Sequence, residues 1–350
     1  MRSLRRAALL AVVPLTLAAA ACGDDDEPAA GGSDPGSEAE DLAGQTITLY
    51  SGRDEELVQP LIDRFTEATG IEVEVRYGNS AEMGAQILEE GDATPADVFY
   101  SQEVGAVGVL AKAGLLGELP DEIVERAEER FRPAEGNAWV GVTARSRVIV
   151  YNPDLVDPPE GVEELTDPAW AGKVAIVPGN AGFQAFVTGF RVSQGEDAAR
   201  AWLEAMLDND VVTNIESNGD VLDAVDAGQI PAGLINHYYW ARHEDRDQLT
   251  AQLVFPDGDD PGGLVNATAV AATEQGAGKA AALALVEYLL SDEGQTHFVT
   301  ETWEYPVVAG IDDPEGIPPL DDLEGPDLDL TDLDSLERTQ ALLTELGLLS

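Results

Sequence analysis

Hydrophobic positions along this chain fall into short buried runs and longer helical stripes that alternate from about Thr46 onward. The run Thr46-Ile47-Thr48-Leu49-Tyr50 predicts a strand, and Ser51-Gly52-Arg53-Asp54 turns the chain toward a helix. That helix carries Leu57, Leu61, Ile62 and Phe65 near helical spacing and stops at Gly70. Ile71 to Tyr77 alternates as a half-buried strand does. A helix from about Ala81 to Glu90 follows, then a buried strand over Ala96–Tyr100 with Ser101, Gln102 and Glu103 at its end. Alternating strands and helices predict a mainly parallel sheet, with ligands at the carboxyl ends of the strands, where Asp54, Gln102 and Glu103 lie.

The run from Trp139 to Asn152 is long enough to cross from one lobe to another, and its Arg145 and Arg147 share a face if it is extended. One of them serves an anion near a hinge, or both balance charge in an acidic protein. Beyond Asp157-Pro158-Pro159 a second lobe begins. There Asn180-Ala181-Gly182 opens a helix that reaches about Gln194, a loop able to offer backbone N–H groups to phosphate or carbonate or to act as a plain connector. A helix from Glu196 to about Leu207 and another opened by the polar turn around Asn218 come next. Leu264–Ala272 can return the chain to the first lobe, Gly278–Leu290 reads as a packing helix, and Leu333, Leu336, Leu343 and Leu346 predict a short amphipathic terminal helix.

Between these elements lies Asn236-His237-Tyr238-Tyr239-Trp240, after the short strand from Ile230 to Ile235 and before a polar, helix-like run from Ala241. Adjacent phenols diverge on a strand but can converge at a turn. Oxygen donors suit hard cations, and a trivalent ion can displace a phenol proton, so the pair points to ferric iron; the alternative is an aromatic turn that only packs.

Composition narrows the classes. With 350 residues, 44% of them hydrophobic, the chain can bury about two domains' cores. A formal net charge of -48 argues against nucleic acid or anionic membrane as a partner. An acidic surface with lysine only at 112, 173 and 279 also suits a saline exterior. At the N-terminus, Arg2, Arg5 and Arg6 precede an apolar stretch from Ala7 to Ala20 that is short for a membrane span, which predicts a secretory signal over residues 1–21. Leu17-Ala18-Ala19-Ala20-Ala21-Cys22-Gly23 resembles a bacterial lipobox, which implies cleavage before Cys22 and a lipid on its sulfur. Cys22 is the only cysteine, which excludes disulfides and cysteine catalysis. Residues 22–44 read as an acidic tether; Asp24-Asp25-Asp26-Glu27 lacks the glycine turn and distal carboxylate of a calcium loop.

The chain from about Thr46 resembles the periplasmic ferric-iron-binding proteins, also called bacterial transferrins. The resemblance rests on Leu49-Tyr50-Ser51-Gly52-Arg53, Pro95–Tyr100, Arg145–Asn152 and Ile235-Asn236-His237-Tyr238-Tyr239-Trp240. It implies a two-lobe α/β periplasmic-binding-protein fold of type II, with a hinge and an interlobe ligand cleft. The lobes are expected over 45–145 plus 266–305 and over 146–265 plus 306–350. Tyr238 and Tyr239 are implied as iron ligands, with an anion held by Asn180, Ala181 and Gly182 and with Asn218 and Asn236 nearby. Asp54 stands where many members have histidine and Gln102 where they have glutamate, so both are candidate metal ligands. Arg145 and Glu103 are assigned to the anion. The implied protein is a monomer, lipid-anchored on the outer face of the bacterial cytoplasmic membrane, that feeds an ABC-transporter permease. A small organic ligand, such as a cation, sugar or phosphonate, is the alternative cargo. A secreted hydrolase is disfavoured by the absence of a Gly-x-Ser-x-Gly elbow, a His-Glu-x-x-His motif and a cysteine nucleophile.

Overall fold

The computed structural model of the protein describes residues 42–326 and 328–349. The secretory signal, Cys22 and the tether as far as residue 41 lie outside the described residues. Among the described residues nine strands form the framework: β1 (Thr46–Ser51), β2 (Glu72–Tyr77), β3 (Val98–Ser101), β4 (Val140–Tyr151), β5 (Val174–Ala175), β6 (Ala232–Asn236), β7 (Gln252–Val254), β8 (Val265–Ala272) and β9 (Tyr305–Pro306). The main path runs β2-β1-β3-β8-β4-β6-β5, with β7 and β9 also on β4.

Local sequence explains the first lobe. The helix Glu55–Thr69 buries Val58, Leu61, Ile62 and Phe65, one stripe at helical spacing. It ends at Gly70, whose φ of 72° places it in the left-handed region that a side chain disfavours. This helix connects β1 to its parallel neighbour β2, and β3 adds in parallel on the other side of β1.

The hinge is written into β4. Ser146 is the last residue to pair with β8, opposite Val265, and the next residue, Arg147, pairs with Asn236 of β6. All twelve residues of β4 are buried, as expected of a strand covered on both faces. Its alternation then separates two smaller cores: Ile149 and Tyr151 pack with Phe183, Phe186 and Trp202, while Val148 and Val150 pack with Val221, Leu222 and Ile235. The large core of the first lobe gathers Leu49, Phe65, Phe99, Trp139, Leu285 and Tyr305.

Three expectations are corrected. The sheet is mixed: among the described strands, three pairings are parallel and five antiparallel. The reason is the hinge, because β4 and β8 run side by side in opposite directions as the chain leaves one lobe and returns to the other. The segment after β9, expected with the second lobe, instead inserts Val307, Leu320, Leu330 and Leu333 into the first core. The terminal helix Leu336–Glu345 joins the second lobe through Leu342 and Leu343, and Leu346, Leu348 and Leu349 after it pack there too. Finally, no helix begins at Ala241; the helix there is His237–Ala241, followed by a turn at Arg246–Gln248. The two tyrosines therefore occupy the helix's first turn. Among the described residues, no helix is long and apolar enough to cross a membrane.

Candidate functional site

β6 ends at Asn236, and the chain turns at once into His237–Ala241. His237 faces inward and is fully buried. Its Nδ1 accepts the Ser146 N–H at 3.1 Å, so Nε2 carries the proton and donates to the Trp303 carbonyl at 2.9 Å. Burial pushes its pKa down to about 4, which keeps the ring neutral. With this residue pinned, Tyr238 and Tyr239 emerge together. Their rings stack with centroids 4.6 Å apart and planes 28° from parallel, and the Arg242 guanidinium lies over both, at 5.7 and 5.2 Å. Burial first, and then the neighbouring Tyr238, raise the Tyr239 phenol above its ordinary value. Such a phenol stays protonated in water near neutrality unless a strong cation displaces the proton.

Tyr238 and Tyr239 line a cavity of about 460 Å³, together with Asn180, Ala181, Gly182 and Asn236 from the second lobe and Arg53, Asp54, Ser80 and Gln102 from the first. On the second-lobe wall, Asn180 caps the helix Ala181–Gln194 by accepting the Phe183 N–H at 3.2 Å. The start of this helix opens on the cavity, where free N–H groups and the helix dipole favour an anion. Gly182 permits the close fit: a Cβ there would sit 2.8 Å from Asn236 Nδ2. Asn236 in turn donates to Tyr238 Oη at 3.3 Å and accepts from Arg147 Nη1 at 3.3 Å. Arg147 also donates to the Leu234 carbonyl at 2.8 Å.

The first-lobe wall is organised by Arg53. Its two terminal nitrogens donate to the two oxygens of Glu304 at 2.9 and 2.6 Å, and Nη1 also donates to Gln102 Oε1 at 2.8 Å. Both members of the pair are 1% exposed. Burial opposes the charge on each, but mutual attraction outweighs it, raising the pKa of Arg53 and holding Glu304 below the usual carboxylate range. Ser80 accepts the Gln102 N–H at 2.8 Å and donates to the Gly52 carbonyl at 3.3 Å. Gly52 is required there, since a Cβ would collide with Ser80.

The fold thus brings Tyr238, Tyr239, Asp54, Gln102, Asn180, Ala181, Gly182 and Asn236 to one cavity. Three other candidates stand elsewhere. Glu103 lines an adjoining cavity of about 410 Å³ that shares Ser80 and Ala181 with the first, and burial pushes its carboxyl up to about 7. Arg145 pairs across the hinge with Asn266, and its terminal nitrogens are buried without a hydrogen-bond partner among the described residues. Asn218 begins the helix Asn218–Asp226, fully buried, its amide likewise without a partner among the described residues. Sequence reasoning did not assign Arg53, Ser80 or His237 to the site. Arg53 was detectable as a cation at the carboxyl end of β1, beside the expected ligand positions. Of the two hinge arginines, Arg147 is the one bonded to the site.

Residues 60–319 match the bacterial extracellular solute-binding proteins. The chain belongs to this family. Among the relatives of this solute-binding protein, the Fe(3+)-binding periplasmic protein of Serratia marcescens is 34% identical over 314 residues, covering 88% of the chain and 92% of the relative. The major ferric iron-binding protein of Neisseria meningitidis is 32% identical over 309 residues, covering 86% and 93%. The crystal structure of iron-bound HitA from Pseudomonas aeruginosa superposes with a TM-score of 0.80 at 31% identity, covering 87% of this chain and 99% of that one. The fold is accordingly the two-lobe α/β fold of periplasmic binding proteins, and the family binds solutes for transport rather than transforming them.

Proposed function

We propose that this solute-binding protein carries ferric iron for uptake, bound by the phenolates of Tyr238 and Tyr239. The observation that carries the reading is two adjacent phenols, stacked in one helical turn and opening on the same cavity. Relatives named for ferric iron over most of the chain support it. The donor chemistry agrees. Among the described residues no group of three His, Cys, Asp or Glu side chains gathers to hold a metal, so the metal rests on phenolates, the exposed carboxylate of Asp54 and exogenous oxygen. Phosphate or carbonate completes the shell against the helix start at Asn180, Ala181 and Gly182, with Asn236 beside it. Cys22 holds the mature protein, as a monomer, by its lipid to the outer face of the cytoplasmic membrane, where it supplies an ABC-transporter permease.

Stripping the purified protein of metal and adding ferric salt with phosphate or bicarbonate tests the reading. A phenolate-to-iron charge-transfer band should appear and should bleach on acidification, because each phenolate must take back a proton as iron leaves. A colourless protein that instead binds a sugar or an organic cation would replace this reading with the organic cargo. Mass spectrometry of the native N-terminus tests the anchor: diacylglyceryl on Cys22 supports it, and cleavage elsewhere removes it.

A further inference from the structure

We infer that Gln102 is not a metal ligand but a hydrogen-bond donor to the oxyanion that accompanies the metal. The inference rests on the ferric reading of the same cavity. A guanidinium carries donors only, so the 2.8 Å contact from Arg53 Nη1 fixes which end of the Gln102 amide faces it: the oxygen. The other end, Nε2 with its two N–H groups, has no partner among the described residues and belongs to a side chain that lines the cavity.

Turning the amide over is blocked at Arg53. Its NH2 group would then face Arg53 donor to donor, and a fully buried cation would lose an acceptor. Arg53 cannot move aside, because both terminal nitrogens are held by Glu304 in a buried pair. The Gln102 backbone is anchored as well, by the 2.8 Å bond from its N–H to Ser80. An oxygen already shared with a guanidinium is also a poor donor to a trivalent cation, since the two positive charges would meet across it.

The cavity therefore shows N–H groups on both facing walls: Nε2 of Gln102 from the first lobe, and the start of the Ala181–Gln194 helix with Asn236 from the second. An oxyanion with oxygens to spare on both sides, of the phosphate class, satisfies both walls while touching the metal. The anion, rather than a protein side chain at position 102, then links the lobes.

Inorganic phosphate is the probe. The full-length protein and its Gln102→Met and Gln102→Glu variants are compared by two readouts: phosphate binding to the iron-free protein by calorimetry, and the visible band with ferric salt at saturating phosphate. Gln102→Met deletes the donor, and the phosphate concentration for half-saturation should rise roughly 10- to 100-fold, the usual loss for a hydrogen bond to a charged group. The band should keep its wavelength. Gln102→Glu retains an acceptor for Arg53, so the local fold is preserved, yet it turns an anion on the phosphate and should weaken phosphate at least as much. Unchanged phosphate binding in both variants, or a band shifted or lost at saturating phosphate in Gln102→Met, would overturn the inference. If the wild type never colours, the ferric reading fails by itself, and phosphate calorimetry on the iron-free proteins still decides the role of Gln102.

Discussion

On the second-lobe wall of the cavity, Tyr238 and Tyr239 leave a five-residue helix pinned by one neutral histidine, and beside them stand the backbone N–H groups of a helix start. On the first-lobe wall, by contrast, a buried arginine is clamped by a glutamate and holds Gln102 by its oxygen. Both walls offer N–H groups, but only the second-lobe wall adds phenol oxygens that a metal can ionise, whereas the first-lobe wall holds its amide against a charge-paired arginine. The difference assigns separate tasks. On the proposed reading, the tyrosines of one lobe capture iron and the other lobe serves the anion, with Asp54 at its rim as a further metal-binding candidate.

Breaking the Arg53–Glu304 pair should have the largest effect on stability. Glu304→Gln leaves a buried guanidinium without its counter-charge, and chemical denaturation should report a loss of about 3–5 kcal/mol. The pH dependence follows from the lowered pKa of Glu304: its stabilisation is present above the ordinary carboxylate range and is lost as pH falls through the depressed folded value. A variant as stable as the wild type would mean that the first-lobe wall is not held by this pair.

Glu103 sharpens the contrast within the first lobe, because it is a buried carboxyl with no such clamp. Burial raises it from the ordinary 4.5 to about 7, with Arg145 and Arg147 only partly opposing. The stability tied to its protonated form is therefore complete below about pH 4.5 and is lost as pH rises through about 7. Glu103→Gln should be more stable than the wild type at pH 8 by up to about 3 kcal/mol, with no gain at pH 4. Thermal midpoints at the two pH values check this; an equal difference at both would show that ionisation of Glu103 is not involved.

The smallest effect is expected at the rim. Asp54 is solvent-exposed, and water or the anion can take its place, so Asp54→Asn should weaken iron binding by less than about fivefold in a competition titration with a chelator. A loss as large as that of a tyrosine variant would make the two walls equal partners in metal binding and would end the contrast drawn above.

Much of this was legible in the sequence because local patterns decide it. The stripe Leu57, Leu61, Ile62, Phe65 and the stop at Gly70 locate the first helix, although Val58 rather than Leu57 is its fully buried residue, and the length of the run through Arg145 and Arg147 marks the hinge strand. The tyrosines stood out because they follow a short buried strand. What could not be read depends on distance along the chain. Glu304 is 251 positions from Arg53, so neither the clamp nor the orientation of the Gln102 amide has a local signal. Arg145 and Arg147 look alike in sequence, and only the pairing of Arg147 with Asn236 in β6 puts one of them at the site. The acidic segment after β9 has no helical or strand period to place it, yet its scattered leucines seal the first core.

Resonance Raman spectroscopy of the iron-loaded protein, excited within the visible band, reports which protein group is bonded to the metal. The wild type should show enhanced tyrosinate ring modes. Tyr238→Phe and Tyr239→Phe keep each ring and delete one oxygen, and each should diminish those modes and lower iron affinity by at least about 100-fold, beyond the 10- to 100-fold typical of losing a group that only supports a ligand. Iron bound without tyrosinate modes, or undiminished modes and affinity in both variants, would contradict the account and leave the tyrosine turn as packing.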